Sequence, residues 1–268
     1  MNLTRILSIV LFLVSLGLAY YLYDNINSTI EFKDYIKTTE AQTIDKLMVI
    51  RESEKAFHEQ YGRYTANWDS LINFIENGQV PITVRTEKIT QLSYGEEKVE
   101  VKIDTIGSMS AKDKIFKKNF AVNASTDGIF SGFLVKEGDY VMKSGKVYKL
   151  KVDEKVENYP SSDGGYISSL AKLEVGQFIT KGQNIATLWD YHLNPNVDIK
   201  NLASIPGSDK KFEIFAGKVD KNGLMVSVIE VKDPAPINPE RKASNEAKNR
   251  QPLGFGSRID VGTGGNWE

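Results

Sequence analysis

The sequence predicts an α+β protein that is mainly β, in which an N-terminal transmembrane helix and a stalk helix precede a β domain. A two-sheet module is inserted in that domain, and an irregular tail follows it. Three observations lead to this prediction. The first residues contain an uncharged apolar run, several later segments alternate between apolar and polar residues, and one glycine-bounded pattern occurs twice. A pattern that recurs within one chain indicates a structural unit used twice.

Residues 1–23 are predicted to form a transmembrane anchor. The chain carries no charge from Ile6 to Tyr23, and a helix of that length is just long enough to cross a hydrocarbon core. Arg5 precedes the run and Asp24 follows it, which favours a cytoplasmic N-terminus and an exported body. The sequence therefore predicts a single-pass protein of the inner membrane, with membrane contact through residues 6–23 and the body in the periplasm.

A cleavable signal peptide is the alternative for the same segment. Gly17, Leu18 and Ala19 place small residues after an apolar stretch, as signal-peptide cleavage requires. The apolar run continues past them to Tyr23, which favours the uncleaved anchor. Both interpretations export the body.

Residues 24–78 are predicted to form a stalk helix and a short second helix. The chain has no Pro or Gly from Asp24 to Gln60, and its apolar residues recur at mostly helical spacings. Gly62 is predicted to end the stalk, and the second helix is expected around Trp68–Ile75. The apolar stripe of the stalk is expected to pack either on the body or on another chain, which leaves self-association open.

This front part resembles type IV pilins and pseudopilins. The resemblance rests on a long N-terminal helix that closes with the segment AFHEQYGRYT, residues 56–65. It covers roughly the first quarter of the chain. The sequence lacks the leader and the early glutamate of those proteins. The resemblance therefore implies their helical architecture, and not polymerisation.

Residues 79–118 and 191–232 are predicted to form one β domain. Four segments alternate between apolar and polar residues, which is the pattern of half-buried strands. These segments are residues 80–84, 99–103, 211–219 and 224–231. A turn is expected at residues 94–97, and Asn222-Gly223 predicts a hairpin turn between the last two strands. From their order along the chain, the two pairs of strands are expected to join in one sheet.

The repeated pattern predicts a module at residues 119–190. Its copies, residues 127–148 and 164–186, each place a strand after a Gly and a tight turn after the strand. The predicted turn glycines are Gly128, Gly138, Gly145, Gly165, Gly176 and Gly182. Gly138 and Gly176 are expected to have positive φ, and Gly145 is equated with Gly182. Two such copies are expected to pack face to face with quasi-two-fold symmetry.

The repeat resembles the biotinyl/lipoyl domains and the barrel-sandwich hybrids of HlyD-like membrane-fusion adaptor proteins. The resemblance rests on the motif V-x-x-G-[DQ]-x-[VI]-x-K-x-G, or a near form of it, in both copies. In the carrier domains a lysine in the hairpin between the halves bears the cofactor, so the resemblance points to Lys155 as the candidate. The adaptor proteins keep the module without a cofactor, which implies an unmodified Lys155 in a solvated turn.

Residues 233–268 are predicted to form an extended tail. They contain four Pro and five Gly and show no apolar period, so they cannot bury enough surface to fold alone. Phe255 and Trp267 are unusual in such a segment. They are predicted as anchors, either to a partner or to the protein's own body by strand addition.

The composition argues against several kinds of chemistry. The chain has no Cys and only two histidines, His58 and His192, which excludes thiolate chemistry and makes a multi-histidine metal site implausible. The net charge of −1 provides no field for nucleic acid. None of the usual catalytic motifs is present. The sequence therefore predicts a protein that is not an enzyme and holds no metal or cofactor.

Three functions remain open, in order of preference. The first is a membrane-anchored, non-catalytic envelope protein that serves as a scaffold or subunit of a secretion, transport or similar assembly, with protein partners. The second is a lipoyl- or biotinyl-type carrier with Lys155 modified. The third is an envelope hydrolase or a carbohydrate-binding β protein, which requires a concave acidic or aromatic cleft.

Overall fold

The computed structural model describes residues 3–91 and 97–268, which form three α-helices and thirteen strands. The helices are α1 (Leu3–Tyr61), α2 (Trp68–Asn77) and α3 (Ala111–Phe116). The first six strands are β1 (Gln79–Gln91), β2 (Glu97–Ser110), β3 (Lys117–Asn123), β4 (Gly128–Phe133), β5 (Tyr140–Val141) and β6 (Lys146–Val152). The others are β7 (Lys155–Pro160), β8 (Gly165–Leu170), β9 (Phe178–Ile179), β10 (Asn184–Tyr191), β11 (Glu213–Lys221), β12 (Leu224–Lys232) and β13 (Gly254–Gly256).

The predicted transmembrane helix is not supported. The apolar run and the stalk form one unbroken helix of 59 residues. In the part of the chain that the structure describes, no helix is long and apolar enough to cross a membrane. The predictions of a transmembrane anchor and of a single-pass inner-membrane protein with a periplasmic body are therefore wrong.

The chain divides into two compact units. The first takes in the chain up to Arg51, residues 64–68 and residues 200–268. The second comprises residues 52–63 and 69–199. The two are described separately below.

In the first unit, the middle of α1 is tied to the C-terminal part of the chain. The ammonium group of Lys46 donates hydrogen bonds to the carbonyl oxygens of Asn201 and Ser204, at 2.8 and 2.7 Å. The Glu40 carboxylate accepts a hydrogen bond from the Asn238 amide at 2.9 Å and pairs with Arg241. These contacts hold loop residues against α1. Asn238 and Arg241 belong to the part of the chain that was predicted from its composition to be an irregular tail.

The sheet of the first unit has the order β11-β12-β13. The β11–β12 hairpin turns through Asn222 and Gly223, whose φ values are 55° and 84°, as a two-residue turn of type I′ requires. Strand β13 comes from the predicted tail and pairs antiparallel with β12, with Phe255 opposite Val231. The tail is thus largely irregular but anchored by its own strand.

The predicted pairing between the two sets of alternating strands is wrong. Among the described residues, strands β1 and β2 pair only with each other, from Gln79 opposite Ser110 to Gln91 opposite Glu97. The second edge of β12 is taken by β13 instead. Hairpin pairing closes a shorter loop and costs less entropy than joining distant strands. The turn predicted at residues 94–97 lies outside the described residues, except for Glu97.

The second unit begins with helical packing. The buried side chains of α2 are Leu71, Phe74 and Ile75. The Phe74 ring contacts Phe57 and Tyr61 near the end of α1, with centroid distances of 5.2 and 5.9 Å. Strands β1 and β2 follow as a ribbon, and α3 begins directly after it with Ser110 as its N-cap.

Two four-stranded sheets follow, with the orders β3-β10-β8-β5 and β7-β6-β4-β9. Their buried side chains belong to one apolar cluster, so the two sheets face each other. The order shows a quasi-two-fold relation: exchanging β3 with β7, β4 with β8, β5 with β9 and β6 with β10 converts one sheet into the other. Each half of the repeat therefore contributes strands to both sheets.

Hydrogen bonds repeat this relation. The N–H of Gly138 donates to the Ile167 carbonyl at 2.9 Å, and the N–H of Gly176 donates to the Phe130 carbonyl at 2.8 Å. Gly138 and Gly176 have φ values of 88° and 95°, a region that favours glycine. The two tight turns thus have the same geometry, and each attaches one half of the repeat to the other.

The second turn of each copy differs from the prediction by one residue. Gly182 has φ of 85°, but its counterpart with positive φ is Ser144, at 66°. At Gly145 the constraint is space and not φ. A Cβ there would lie 2.7 Å from Val141 Cγ1 and 2.8 Å from the Met142 carbonyl oxygen. Equating Gly145 with Gly182 was therefore wrong. Serine accepts this backbone region at a modest cost, so the sequence did not reveal the shift.

Candidate functional site

A row of aromatic side chains crosses the outer face of the sheet β3-β10-β8-β5. Tyr140 lies opposite Tyr166 in the β5–β8 pairing, and Tyr166 lies opposite Trp189 in the β8–β10 pairing. Side chains alternate between the faces of a strand. The next residues, Val141, Ile167 and Leu188, are accordingly buried in the core cluster. Local alternation therefore places the three rings of this aromatic row (Tyr140, Tyr166 and Trp189) outside the sandwich.

The rings contact one another along the row. The Tyr140 and Tyr166 centroids lie 5.0 Å apart at 65°, and those of Tyr166 and Trp189 lie 4.9 Å apart at 24°. Tyr191 continues from Trp189 at 5.5 Å, nearly perpendicular to it. Tyr140 is 53% exposed and Tyr191 45%. Contacts of this kind stabilise each pair by roughly 0.5–1.5 kcal/mol, so the rings hold one another in a fixed arrangement.

A hollow of about 410 Å³ lies at the Tyr191 end of the row. Its lining residues are Lys112, Asp113, Phe116, Lys117, Tyr191, Pro195 and Asn196. The lining contains both apolar and polar side chains. The volume falls within the range of small-ligand sites, which is about 300–1,000 Å³.

Lys117 links the hollow to the aromatic row. Its ammonium nitrogen lies 4.2 Å from the Trp189 ring centroid and 2.7 Å from the Asp113 carboxylate. Hydrogen bonds from Lys117 and Ser110 hold the pKa of Asp113 below its ordinary value. Asp113 is therefore ionised at neutral pH and holds Lys117 over the Trp189 ring.

The symmetry-related row on the other sheet is different. Phe178 pairs with Ile129, and Ile129 pairs with Lys151. These three residues occupy the positions of Tyr140, Tyr166 and Trp189 under the exchange of halves. The fold alone therefore does not require an aromatic row at this place.

The N-terminal part of α1 is a second exposed apolar surface. Every described large apolar side chain from Leu7 to Tyr23 is at least half exposed. Residues 10–14 are consecutive large apolar residues, and at 3.6 residues per turn they point to all sides of the helix. A helix that is apolar all round is normally buried on all sides.

Lys155, the predicted cofactor-bearing residue, is exposed at the start of β7. It pairs with Val152 across the hairpin. The two residues of the turn are Asp153 and Glu154, with φ values of 46° and 69°. The tip of the hairpin is therefore formed by the two carboxylate residues, and Lys155 lies one position beyond it.

The predicted anchors Phe255 and Trp267 pack on their own chain. Phe255 is 3% exposed and pairs with Val231 in the sheet. The Trp267 ring lies 5.6 Å from the Arg51 guanidinium, and the adjacent Glu268 carboxylate pairs with the same Arg51. Phe255 thus lies in a strand that is added to the chain's own sheet, and Trp267 packs beside Arg51. Phe255 does not offer a surface to a partner.

The two histidines lie in different elements of the chain. His58 lies in the last turn of α1, and His192 is exposed just after β10. Within residues 3–91 and 97–268, no group of three or more His, Asp or Glu is placed to hold a metal ion. Sequence reasoning missed the aromatic row, because its members lie on three separate strands. The available signal was the alternation of Tyr140, Tyr166 and Trp189 with buried neighbours.

Comparison with known proteins gives little guidance. No protein family and no curated protein matches this chain. Among solved structures, 24 chains match. One is the urea carboxylase of Kluyveromyces lactis, at 12% identity over 35% of this chain and 11% of that chain, with a TM-score of 0.25. The likeness is weak, and this chain spans only a small part of that protein's length.

Proposed function

We propose that this chain is a non-catalytic scaffold or subunit of a larger protein assembly, such as a secretion or transport apparatus. In this proposal, helices of partner proteins or of further copies cover residues 7–23 of α1. The observation that carries the proposal is the apolar surface of that segment, which faces all sides of the helix. Burying one large apolar side chain contributes roughly 1.5–3 kcal/mol, so several such residues strongly favour association.

We further propose that residues 117–191 form a cofactor-free barrel-sandwich module of the biotinyl/lipoyl and HlyD-like type. The quasi-two-fold exchange of strands supports this assignment. The position of Lys155 beyond the two-residue turn supports the absence of a cofactor, because a swinging group is best presented from the tip itself. In this proposal the module serves as a rigid part of the scaffold.

Site-specific photo-crosslinking in native cells tests the assembly proposal. A photo-reactive residue at Leu18 is expected to form cross-links to apolar helices of proteins, whereas the same residue at Lys37 of α1 is expected to form few. The double variant Leu11→Gln/Leu18→Gln should lose the co-purifying proteins, and Lys33→Gln/Lys37→Gln should keep them. Cross-links from Leu18 to lipid alone, or an unchanged set of proteins in the double variant, would overturn the proposal.

Mass spectrometry of the same preparations tests the cofactor-free module. The peptide that contains Lys155 is expected to have its unmodified mass, and Lys155→Arg should leave the set of co-purifying proteins unchanged. A lipoyl or biotinyl mass on Lys155 would contradict this part of the proposal and favour a carrier.

A further inference from the structure

We propose that strand β2 pairs edge to edge with β2 of a second copy of this chain, so that two ribbons join in one four-stranded antiparallel sheet. The inference is independent of the assembly proposed above, because it concerns β1 and β2 and not the N-terminal part of α1. It rests on the open edge of the ribbon and on the order of the charges along that edge.

The ribbon of β1 and β2 is long but narrow. The two strands contain 13 and 14 residues, and in the part of the chain that the structure describes no third strand joins them. Two strands alone are marginally stable in water, and three or more with an apolar face are normally needed. Val101 and Ile103 of β2 are 46% and 64% exposed. A further strand beside the ribbon would therefore stabilise it.

The outer edge of β2 is suited to pairing. Residues 97–106 contain neither Pro nor Gly, so every residue of this segment has a backbone N–H. Strand β1 contains Pro81, a residue that is confined to the edges of sheets because it cannot donate to a neighbouring strand. A long edge without such protection is a template for another strand. The added strand is therefore expected beside β2, which leaves β1 as the outer edge.

The charges of β2 match those of a second copy in one antiparallel register. Charged residues of alternating sign occupy every second position, as Lys98, Glu100, Lys102 and Asp104. With Val101 opposite its own counterpart, Lys98 lies opposite Asp104 of the second copy. Glu100 then lies opposite Lys102 of the second copy. Each charged position from 98 to 104 is thus opposite a residue of the other sign.

Other registers lose this match. A shift by two residues in one direction places Glu100 opposite Glu100, and in the other direction it places Lys102 opposite Lys102. Like charges that lie directly opposite each other destabilise a sheet. A shift by four residues keeps opposite charges at only two of the four positions within β2. A shift by one residue places charged positions opposite apolar ones. The charges therefore select the register that is centred on Val101.

Pairing within one copy does not account for these charges. Of the four charged positions in β2, only Glu100 lies opposite a residue of the other sign in β1, which is Lys88. The other three lie opposite Thr or Val. Lys102 and Asp104 pair along the strand at 3.0 Å, but they are 77% and 49% exposed, and an exposed pair contributes little stability. The alternation of sign is explained by the second copy.

The same register also aligns the apolar positions of β2. Val99 lies opposite Ile103 of the second copy, and Val101 lies opposite itself. Cross-strand pairs of this kind are the units that stabilise a sheet. Both copies use the same surface, which is the mark of a two-fold interface that closes on itself. The pairing therefore ends at a dimer.

Cysteine cross-linking of the full-length chain tests the register, since the chain has no Cys of its own. Val101→Cys is expected to give a disulfide-linked dimer on mild oxidation with copper–phenanthroline, because its two copies lie opposite each other. Ile106→Cys is the matched control, because Ile106 is also exposed, at 67%. Its two copies would lie about ten positions, or roughly 30 Å, apart along the sheet, so it should stay monomeric on a reducing-agent-free gel.

Both cysteine variants are also made together with Leu11→Gln/Leu18→Gln. These changes remove association through α1 but leave β2 intact. The cross-link at Val101→Cys should persist in that background. Its persistence there, or its loss, is therefore separate from the outcome for the assembly proposed above.

An exchange of charges tests the complementarity. Lys98→Glu/Lys102→Glu makes the edge acidic, and Glu100→Lys/Asp104→Lys makes it basic. In the Leu11→Gln/Leu18→Gln background, each variant alone should dimerise at least about tenfold more weakly by analytical ultracentrifugation, because like charges then lie opposite each other. An equimolar mixture should form a heterodimer and regain the affinity. This recovery separates lost complementarity from a damaged ribbon.

Absence of the disulfide in Val101→Cys, or equal cross-linking in Ile106→Cys, would overturn the proposal. So would charge variants that dimerise as well as the parent chain, or a mixture that associates no better than either variant alone. A photo-reactive residue at Val101 that captures only a different protein in native cells would also overturn it, and would assign the edge of β2 to a strand of that protein.

Discussion

Trp189 and Lys151 occupy equivalent positions in the two halves of the sandwich. Each lies on the strand that follows the second turn of its half, and each pairs with a residue at the start of the neighbouring strand, Tyr166 or Ile129. The buried positions beside them are both leucine, Leu188 and Leu150. The two halves thus keep a common interior while their outer faces have diverged.

The shifted turn predicts opposite effects at two equivalent positions. Ser144 and Gly182 both have positive φ, which costs a residue with a Cβ about 1 kcal/mol or more. Gly182→Ala should therefore destabilise the chain by about 1–3 kcal/mol. Ser144→Gly should be neutral or stabilise it by up to about 1 kcal/mol. Chemical denaturation measures both, and equal destabilisation by the two changes would refute the equivalence.

Gly256 is predicted to be irreplaceable in the strand that anchors the tail. It has φ of 81°, and a Cβ there would overlap the Ile229 carbonyl oxygen. Gly256→Ala should therefore lower the free energy of unfolding by at least about 2 kcal/mol. Gly262→Ala is the control, because nothing lies within 4 Å of a Cβ at that position. Similar melting temperatures for the two variants would contradict the observed position of β13.

Asp233 is predicted to be stabilising only in its protonated form. Burial raises its pKa, while the Ala235 N–H and the charge of Arg241 act in the opposite direction. A raised carboxyl pKa contributes stability that is present below the unfolded-state pKa and is lost as the pH rises through the folded-state pKa. Asp233→Asn keeps an acceptor for the Ala235 N–H, which lies 2.8 Å away.

Asp233→Asn should therefore raise the melting temperature at pH 7, with the gain shrinking as the pH falls toward 4. Thermal scans over this range, with Asp260→Asn as an exposed control, measure the effect. A lower melting temperature for Asp233→Asn at pH 7 would mean that the attraction of Arg241 outweighs the burial.

The N-cap of α3 is predicted to contribute a pH-dependent part of the stability. The Ser110 hydroxyl accepts a hydrogen bond from the Asp113 N–H at 3.1 Å and donates one to the Asp113 carboxylate at 2.8 Å. Ser110→Ala should cost about 1 kcal/mol. Since the pKa of Asp113 is lowered, the contribution of this carboxylate is present above the unfolded-state pKa and is lost as the pH falls through the folded-state pKa.

Asp113→Asn should consequently destabilise the chain at pH 7 but have little effect near pH 3. Asp104→Asn, another exposed carboxylate with a lysine partner, serves as the control. A penalty for Asp113→Asn that does not change with pH would show that the loss comes from helix geometry rather than from charge.

Local sequence patterns predicted part of this fold. Contacts between segments that are distant in the sequence could not be predicted from such patterns. The alternating segments at 211–219 and 224–231 and the Asn222-Gly223 turn predict a hairpin, which is found at β11 and β12. Strand addition by the segment around Phe255 was predicted as one of two alternatives. The partner strand of β13 could not be predicted, because two of its three residues are glycine and carry almost no periodic signal. The apolar run at residues 6–23 predicted a membrane-spanning helix, whereas no helix in the described part of the chain is long and apolar enough to be one.

The candidate site was beyond sequence reasoning for a similar reason. Tyr140, Tyr166 and Trp189 become neighbours only once the register of three strands is known. Each alone is an ordinary aromatic residue on a half-exposed strand. The repeat pointed to the turns and to Lys155, since turns are encoded locally, but it carried no information about the outer faces.

The division of each half between both sheets has a consequence for how the core of the sandwich is closed. Strands β3 and β5 belong to one sheet, and β4 and β6 of the same half belong to the other. One half alone therefore has no interior of its own, and a polypeptide of that length could close its core only by intertwining with an identical copy. The module is equivalent to such a homodimer joined into a single chain at Asp153 and Glu154. Within a single chain the two outer faces can differ, as they do at Trp189 and Lys151.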